Sequence, residues 1–241
     1  MRLNLVPLVQ LLLTRDADAN LQDNRGDTAL MWAAESGHDD IVQQLLASAA
    51  GPNLQDNRDK TALMYAAGRG HVNIVELLLA NGAKPNFRNN NSNAALMFAA
   101  QNGHANIVEL LLANGAKPNF RNNNSNAALM FAAQNGHANI VELLLHNSAD
   151  LDIQGNYGAT ALMYAADSGH DNIVELLLYS GADPDIQAND RVTALMIAAG
   201  RGHVDIVELL LASGANSDIQ NNNGITALMF AAFNGYANIV K

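Results

Sequence analysis

Residues 28–46, TALMWAAESGHDDIVQQLL, carry the reading that decides the fold. Leu30, Ala33 and Ala34 follow Thr28 at helical i, i+3, i+4 spacing, which predicts a short helix with Thr28 as its N-cap. Gly37-His38 ends that helix, and Ile41, Val42, Leu45 and Leu46 begin a second apolar stripe. The stretch therefore reads as a hairpin of two helices, each about two turns long. Working outward, the Ala-Leu-Met that follows Thr28 returns after Thr61, Ala94, Ala127, Thr160, Thr193 and Thr226, always at an interval of 33 residues. Leu8 to Leu13 lies 33 residues before Ile41 to Leu46, so the apolar N-terminal stretch that begins after Met1-Arg2 reads as a repeat helix and not as a secretory signal. Residues 73–112 are identical to residues 106–145, the mark of a recent or deliberate duplication.

Each hairpin is followed by Asn, Asp and Gly-rich sequence, such as Asp23-Asn24-Arg25-Gly26, whose residues tolerate positive φ and form tight turns. A single unit this small cannot bury enough apolar surface to fold alone, whereas stacked copies pack stripe on stripe and share one core. The expectation is an all-α solenoid of stacked helix-turn-helix units with projecting, short β-hairpin-like turns. Residues 1–241 read as a single array. It has a partial unit at 1–27, full units at 28–60, 61–93, 94–126, 127–159, 160–192 and 193–225, and a truncated unit at 226–241.

The 33-residue turn-helix-helix unit, reading Thr-Ala-Leu-Met-x-Ala-Ala, then Gly-His, Ile-Val-Glu-Leu-Leu-Leu and Gly-Ala-x-x-Asn, resembles the ankyrin repeat over essentially the whole chain. Three departures stand out. Ala29 and its equivalents replace the family's Pro, Met31 and its equivalents replace the signature His, and Ala94 and Ala127 replace the capping Thr. Met is expected to contribute apolar packing where the family's His makes a polar network. The resemblance implies a non-catalytic scaffold whose protein partner lies along a concave groove and the turn tips. Other implied readings are a substrate-targeting arm of a larger enzyme or pathogen effector, and a structural spacer.

Composition narrows the function classes. Thirteen Lys and Arg stand against 23 Asp and Glu, and a net charge of -10 repels phosphate backbones and anionic lipid, so no nucleic acid partner is expected. With no cysteine there is no disulfide framework, thiolate zinc site or Cys nucleophile. No apolar run approaches the ~18 residues of a spanning helix, so no membrane insertion is expected either. A reducing compartment fits, which favours the cytoplasm, or the host cytosol for an effector.

The recurring polar residues read as structure. His38, His71, His104, His137, His170 and His203 occur once per unit. Stacking would set them roughly 8–10 Å apart, a ladder that cannot converge to the ~2.0–2.1 Å of a metal site. They are expected to bond loop backbone after the Gly. Glu76, Glu109, Glu142, Glu175 and Glu208 point away from the apolar stripe and form a solvated outer face. Gly68-Arg69-Gly70-His71 lacks the strand and the Lys-Ser/Thr ending of a phosphate loop. Arg25-Gly26-Asp27 matches the adhesion tripeptide that integrins recognise, but it occurs once and reads as a turn. No catalytic residue, cofactor or metal is expected.

Binding candidates come from the first-helix face beside the core stripe. They are Trp32 with Glu35 and Ser36, Tyr65 with Arg69, Phe98 with Gln101 and Asn102, and Phe131 with Gln134 and Asn135. The series continues through Tyr164 with Asp167 and Ser168, Ile197 with Arg201, and Phe230 with Phe233 and Asn234. Turn residues vary most between units and add Arg25, Asp27, Arg58, Lys60, Asn91, Asn93, Asn124, Asn126, Tyr157, Asp190, Arg191 and Asn223. The aromatics read both as interface anchors and as space-fillers between helix and turn. Successive full units carry charges of -3, +2, +1, -3, -5 and -2, so a partner on the C-terminal half is expected to be basic. The array opens in a second helix and stops at Ile239-Val240-Lys241, within another. Such ends lack polar caps, so they predict a longer parent array, a covering partner or self-association.

Overall fold

The computed structural model describes residues 6–236. The sequence periodicity is realised directly in the backbone. A lone helix stands at the start, α1 (Val6–Leu13). Then come the pairs α2 (Ala29–Ser36) and α3 (Asp39–Ala47), α4 (Ala62–Arg69) and α5 (Val72–Ala80), and α6 (Ala95–Gln101) and α7 (Ala105–Ala113). A second series follows with α8 (Ala128–Gln134) and α9 (Ala138–His146), α10 (Ala161–Ser168) and α11 (Asp171–Tyr179), α12 (Ala194–Arg201) and α13 (Val204–Ala212), and finally α14 (Ala227–Asn234). The chain forms two compact units, Met1–Lys117 with α1 to α7 and Pro118–Lys241 with α8 to α14. Met1-Arg2 and Ile239-Val240-Lys241 lie outside the described residues.

Within each unit, first helices pack on first helices and second on second. In the N-terminal unit α2, α4 and α6 form one layer and α1, α3, α5 and α7 the other; in the C-terminal unit α8, α10, α12 and α14 face α9, α11 and α13. The stripes read from sequence are the buried ones: Leu63, Ala66 and Ala67 from α4 and Ile74, Val75 and Leu78 from α5, with their equivalents in both units. Each large side chain so buried stabilises its unit by about 1.5–3 kcal/mol. The methionines that depart from the family signature, Met31, Met64, Met97, Met130, Met163 and Met196, are buried among them and act as apolar filler. Leu8, Leu11 and Leu12 of α1 and Leu228, Met229 and Phe233 of α14 are exposed. No helix of the described residues is long and apolar enough to cross a membrane.

Caps follow the sequence. Thr28, Thr61, Thr160, Thr193 and Thr226 each accept the amide of the methionine three residues on, at 3.3–3.4 Å. Ala94 and Ala127 hold the same extended conformation without a side-chain cap bond.

The histidines differ from expectation in their partner. His71 Nε2 pairs with the carbonyl of Glu35 at 3.1 Å, His104 Nε2 with that of Gly68 at 3.3 Å, and His170 Nε2 with that of Gln134 at 3.1 Å. Each ring reaches the first helix of the preceding repeat, not its own loop. This contact also explains the glycines opposite. Gly37 and Gly70 sit at φ +76° and +83°, and a Cβ there would come within 2.6–2.7 Å of the ring of His71 or His104.

A ladder of side-chain amides ties successive repeats on the loop side. Asn53 accepts the Lys84 amide at 2.8 Å and donates to the Gly82 carbonyl at 2.9 Å; Asn86 does the same with Lys117 at 3.0 Å and Gly115 at 2.8 Å. In the C-terminal unit Asn119 repeats the pattern with Asp150 at 2.9 Å and Ser148 at 3.0 Å, and the next rungs become Asp152, accepting from Asp183 at 3.2 Å, and Asp185, accepting from Asn216 at 2.8 Å. An ionised aspartate accepts as asparagine does but cannot donate. Burial raises the Asp152 pKa, and the charges of Asp183 and Asp150 add to the rise against the opposing Asp183 amide bond. A carboxyl with a raised folded-state pKa costs stability when ionised, and acidification through that pKa relieves the cost. Asp152→Asn is therefore expected to stabilise the protein at neutral pH by about 0.5–1.5 kcal/mol, with the gain shrinking towards pH 4. Thermal melts of both proteins between pH 4 and 8 measure this.

Candidate functional site

The turn tips are built on one side chain that sequence reasoning passed over. Asp23, Asp56, Asn89, Asn122 and Asn221 each direct Oδ1 at the amides two and four residues on, at 2.8–3.0 Å. The backbone closes the same loop, with the Asp23 amide on the Asp27 carbonyl at 3.0 Å and the Asp56 amide on that of Lys60 at 2.9 Å. These turns are hairpin-like in their bonding, yet no strand forms among the described residues. The signal was present as Asp or Asn recurring at the 33-residue period. Gly155 and Ala188 break it, and the Gly155 turn tightens instead into a single 3₁₀ turn at Asn156–Gly158.

Neighbouring tips are stitched together within each unit. The Asn57 amide bonds the Arg25 carbonyl at 2.9 Å and the Asn90 amide bonds that of Arg58 at 3.1 Å. In the C-terminal unit Asn189 bonds Tyr157 at 2.8 Å and Asn222 bonds Asp190 at 3.0 Å. Arg25, Arg58 and Asn91 thus succeed one another along one row, and Tyr157, Asp190 and Asn223 along another. All six are exposed, as are Asn124 and Arg191.

The first-helix candidates separate into two classes. Trp32, at 44% exposure, stands open with Arg25 stacked 4.7 Å above its ring. Ser36, Arg69, Gln101, Asn102, Gln134, Asn135, Asp167, Ser168, Arg201 and Phe233 are also exposed. Glu35, Lys60, Asn93, Phe98, Asn126, Phe131, Tyr164, Ile197 and Phe230 are half-buried. Tyr65 and Asp27 depart from the expected surface position, at only 8% and 7% exposure. Burial of Asp27 also removes the carboxylate that the adhesion-tripeptide match would need to present.

Tyr65 is buried because its hydroxyl closes a polar network beneath the tips. It donates to Asp56 Oδ2 at 2.6 Å, lies 3.4 Å from Asp27 Oδ1, and receives Arg58 Nη2 at 2.5 Å. Burial and then the Asp56 bond and charge push the Tyr65 phenol far above its ordinary value. Burial also pushes the Asp56 carboxyl up. The Tyr65 hydroxyl, the Lys60 and Arg58 amides and the Arg58 charge outweigh that and hold it below the usual carboxylate value. Lys60 Nζ sits 5.1 Å from the ring centres of both Tyr65 and Phe98. Its burial, and then the Arg58 charge, lower its pKa. In the C-terminal unit the corresponding face holds a cavity of about 270 Å³ floored by Met196, Ile197 and Phe230, with the Asp167–Arg201 ion pair at its rim, 2.7 Å long.

The negative charge of the C-terminal unit lies elsewhere. Glu142, Asp171, Glu175, Asp205 and Glu208 are exposed on the second helices, and Asp150, Asp183 and Asp218 occupy the loops that follow them. On the first-helix and tip side Asp167 and Asp190 are balanced by Arg201 and Arg191. Among the described residues no group of three or more His, Asp or Glu converges on a point where a metal ion would be held.

Comparison with known proteins agrees with this architecture. The family model described as ankyrin repeats (3 copies) matches residues 2–89, 96–188 and 180–241, and a second, described as ankyrin repeats (many copies), matches residues 74–112. Among solved structures, the human ASB11 ankyrin repeat domain is similar with a TM-score of 0.82 and 28% identity, covering 89% of this chain and 97% of that one. A search of curated proteins gave no match. The repeat length, the Thr-capped helical hairpin and matches over nearly all its residues agree, and the chain belongs to the ankyrin repeat family.

Proposed function

We propose that this chain is a non-catalytic scaffold that holds a protein partner against its turn tips and the exposed side of its first helices. The carrying observation is that a recurring frame of caps, anchors and buried stripes, interrupted at Ala94, Ala127, Gly155 and Ala188, presents a row of side chains that changes from repeat to repeat. In that row Trp32 stands half-exposed under a stacked guanidinium. Large aromatics and arginines in such settings supply most of the binding energy at protein interfaces. A partner that also reaches the second helices of the C-terminal unit meets Glu142, Asp171, Glu175, Asp205 and Glu208, so its matching surface is basic and its association slows with added salt.

Two substitution sets test this reading. Trp32→Ala with Phe233→Ala changes exposed side chains of the proposed face, and Glu175→Gln with Glu208→Gln changes the opposite one. Proteins captured by the wild-type chain are expected to be lost with the first set and kept with the second. Equal capture by wild type and the Trp32 variant would contradict the assignment. Trp32 is the only tryptophan, so occupation of its face is also expected to shift its emission to the blue.

A further inference from the structure

The two units differ in the charge they turn outward, and in the N-terminal unit the asymmetry lies in depth. Up to Lys117 the chain carries nine Lys and Arg against eleven Asp and Glu, and beyond it four against twelve. At the N-terminal tips a buried carboxylate lies beneath each exposed cation, and the outer partner of Arg25 is Asp23, 4.0 Å away and 41% exposed. Arg25 is 63% exposed and Asp27, 3.4 Å from its Nε, only 8%; Arg58 is 57% exposed and Asp56, 3.4 Å from its Nη2, only 1%. Arg69 repeats the arrangement over Glu35, with 62% against 30%.

Each guanidinium uses one nitrogen for its intramolecular ion pair, Nε in Arg25 and Nη2 in Arg58 and Arg69. A guanidinium offers five N–H donors in a planar fork suited to carboxylate, so most of each fork remains available. Their positions are fixed, Arg25 by the Trp32 ring and Arg58 by the Tyr65 hydroxyl. Little side-chain freedom is left to lose on binding. Exposed Asp59 and Asp23 are the counterweights at the same tips.

From this geometry we infer that the N-terminal unit takes an extended acidic segment of its protein partner along the row of tips. This rests on the scaffold reading and names the chemistry of one of its ligands. Arg25 and Arg58 lie one repeat apart, roughly 10 Å, which one three-residue turn of a polyproline-II-like extended chain covers at about 3.1 Å per residue, returning every third side chain to the same face. The segment therefore places Asp or Glu at every third position, with an apolar residue between them against the open part of Trp32. A peptide is favoured over nucleic acid because the chain as a whole repels a uniform polyanion, whereas a short acidic segment is held locally by forked hydrogen bonds.

The test uses the 241-residue chain. Its probes are a random fifteen-residue display library, the labelled peptide (Glu-Thr-Val)₄, its Gln-for-Glu counterpart, and a DNA duplex. Clones recovered by the wild type are expected to be rich in Asp and Glu at third positions and to be lost with Arg25→Gln/Arg58→Gln. The Glu peptide is expected to bind about fivefold to tenfold more weakly to that variant, to weaken similarly from 50 to 300 mM salt, and to shift the Trp32 emission. Melting curves establish that the variant stays folded, with Asp56 keeping its two amide donors and the Tyr65 hydroxyl and Asp27 keeping that hydroxyl at 3.4 Å. Recovered clones without acidic bias, equal binding of the Gln peptide, or undiminished binding by a folded variant would overturn the inference and leave the scaffold reading standing. Preference for the duplex would overturn it in favour of nucleic acid. A library that yields no clones at all would count against both.

Discussion

Asp56→Ala is expected to destabilise the N-terminal unit by about 3–5 kcal/mol, one of the two largest effects foreseen for this protein. The side chain accepts two backbone amides at 2.8 Å and the Tyr65 hydroxyl at 2.6 Å. Hydrogen bonds to a charged group contribute about 1.5–3 kcal/mol, and a buried hydroxyl left without its acceptor costs about 1–3 kcal/mol. Arg58, being exposed, returns to water and adds little. The reasoning is checked by a double-mutant cycle with Tyr65→Phe in urea denaturation. Removing both partners should recover about 1–2 kcal/mol of the single-mutant loss, and strict additivity would show that the hydroxyl and carboxylate do not depend on each other. A carboxyl with a lowered folded-state pKa contributes stability above its unfolded value, and that contribution fades as pH falls through the folded one. Wild type should therefore lose it below about pH 4, while Asp56→Ala shows a flatter acid limb.

The largest gain is expected from restoring two caps. Ala94→Thr and Ala127→Thr should each stabilise by about 0.5–2 kcal/mol, and roughly additively because each replacement completes a separate helix start. Both alanines already hold the extended backbone of the threonine caps, φ -96° and -101° against -102° at Thr61. Both are also as buried as those threonines, so the hydroxyl meets a prepared Met97 or Met130 amide. Calorimetric melting of the single and double variants measures the gain. An unchanged midpoint would mean that the added methyl is accommodated only at the expense of the neighbouring packing.

Helical positions were legible in the sequence to a degree that the tips were not. The 3.6-residue stripe is a property of a short segment, and the fixed period repeats it, so Leu63, Ile74, Val75 and Leu78 could be assigned inward without knowing any neighbour. Tyr65 shows the limit of that logic. Its helical position equals that of Trp32, and each has an aspartate nine residues earlier, Asp56 and Asp23; but the Tyr65 hydroxyl bonds a buried Asp56 and lies 3.4 Å from Asp27 of the preceding repeat's tip, and the ring turns in while Trp32 stays out. Asp27 is misread for the same reason, since its burial depends on a tyrosine 38 residues away. The once-per-unit spacing of the histidines reads as structural, but the direction of their bond depends on the stacking itself. What is local in sequence was readable, and what one repeat does to the next was not.

The bonds between repeats run at constant offsets: side-chain amide to main chain at 29 and 31 residues, imidazole to carbonyl at 36. A lattice with such a rule grows by copying. Any insertion of one whole period brings every donor together with the acceptor that suits it, so an unequal crossover yields a competent protein at once. An insertion of any other length puts all the rungs out of step. The identical stretches 73–112 and 106–145 are what such an exchange leaves behind, and they place the margin for lengthening or shortening this array in whole multiples of 33 residues.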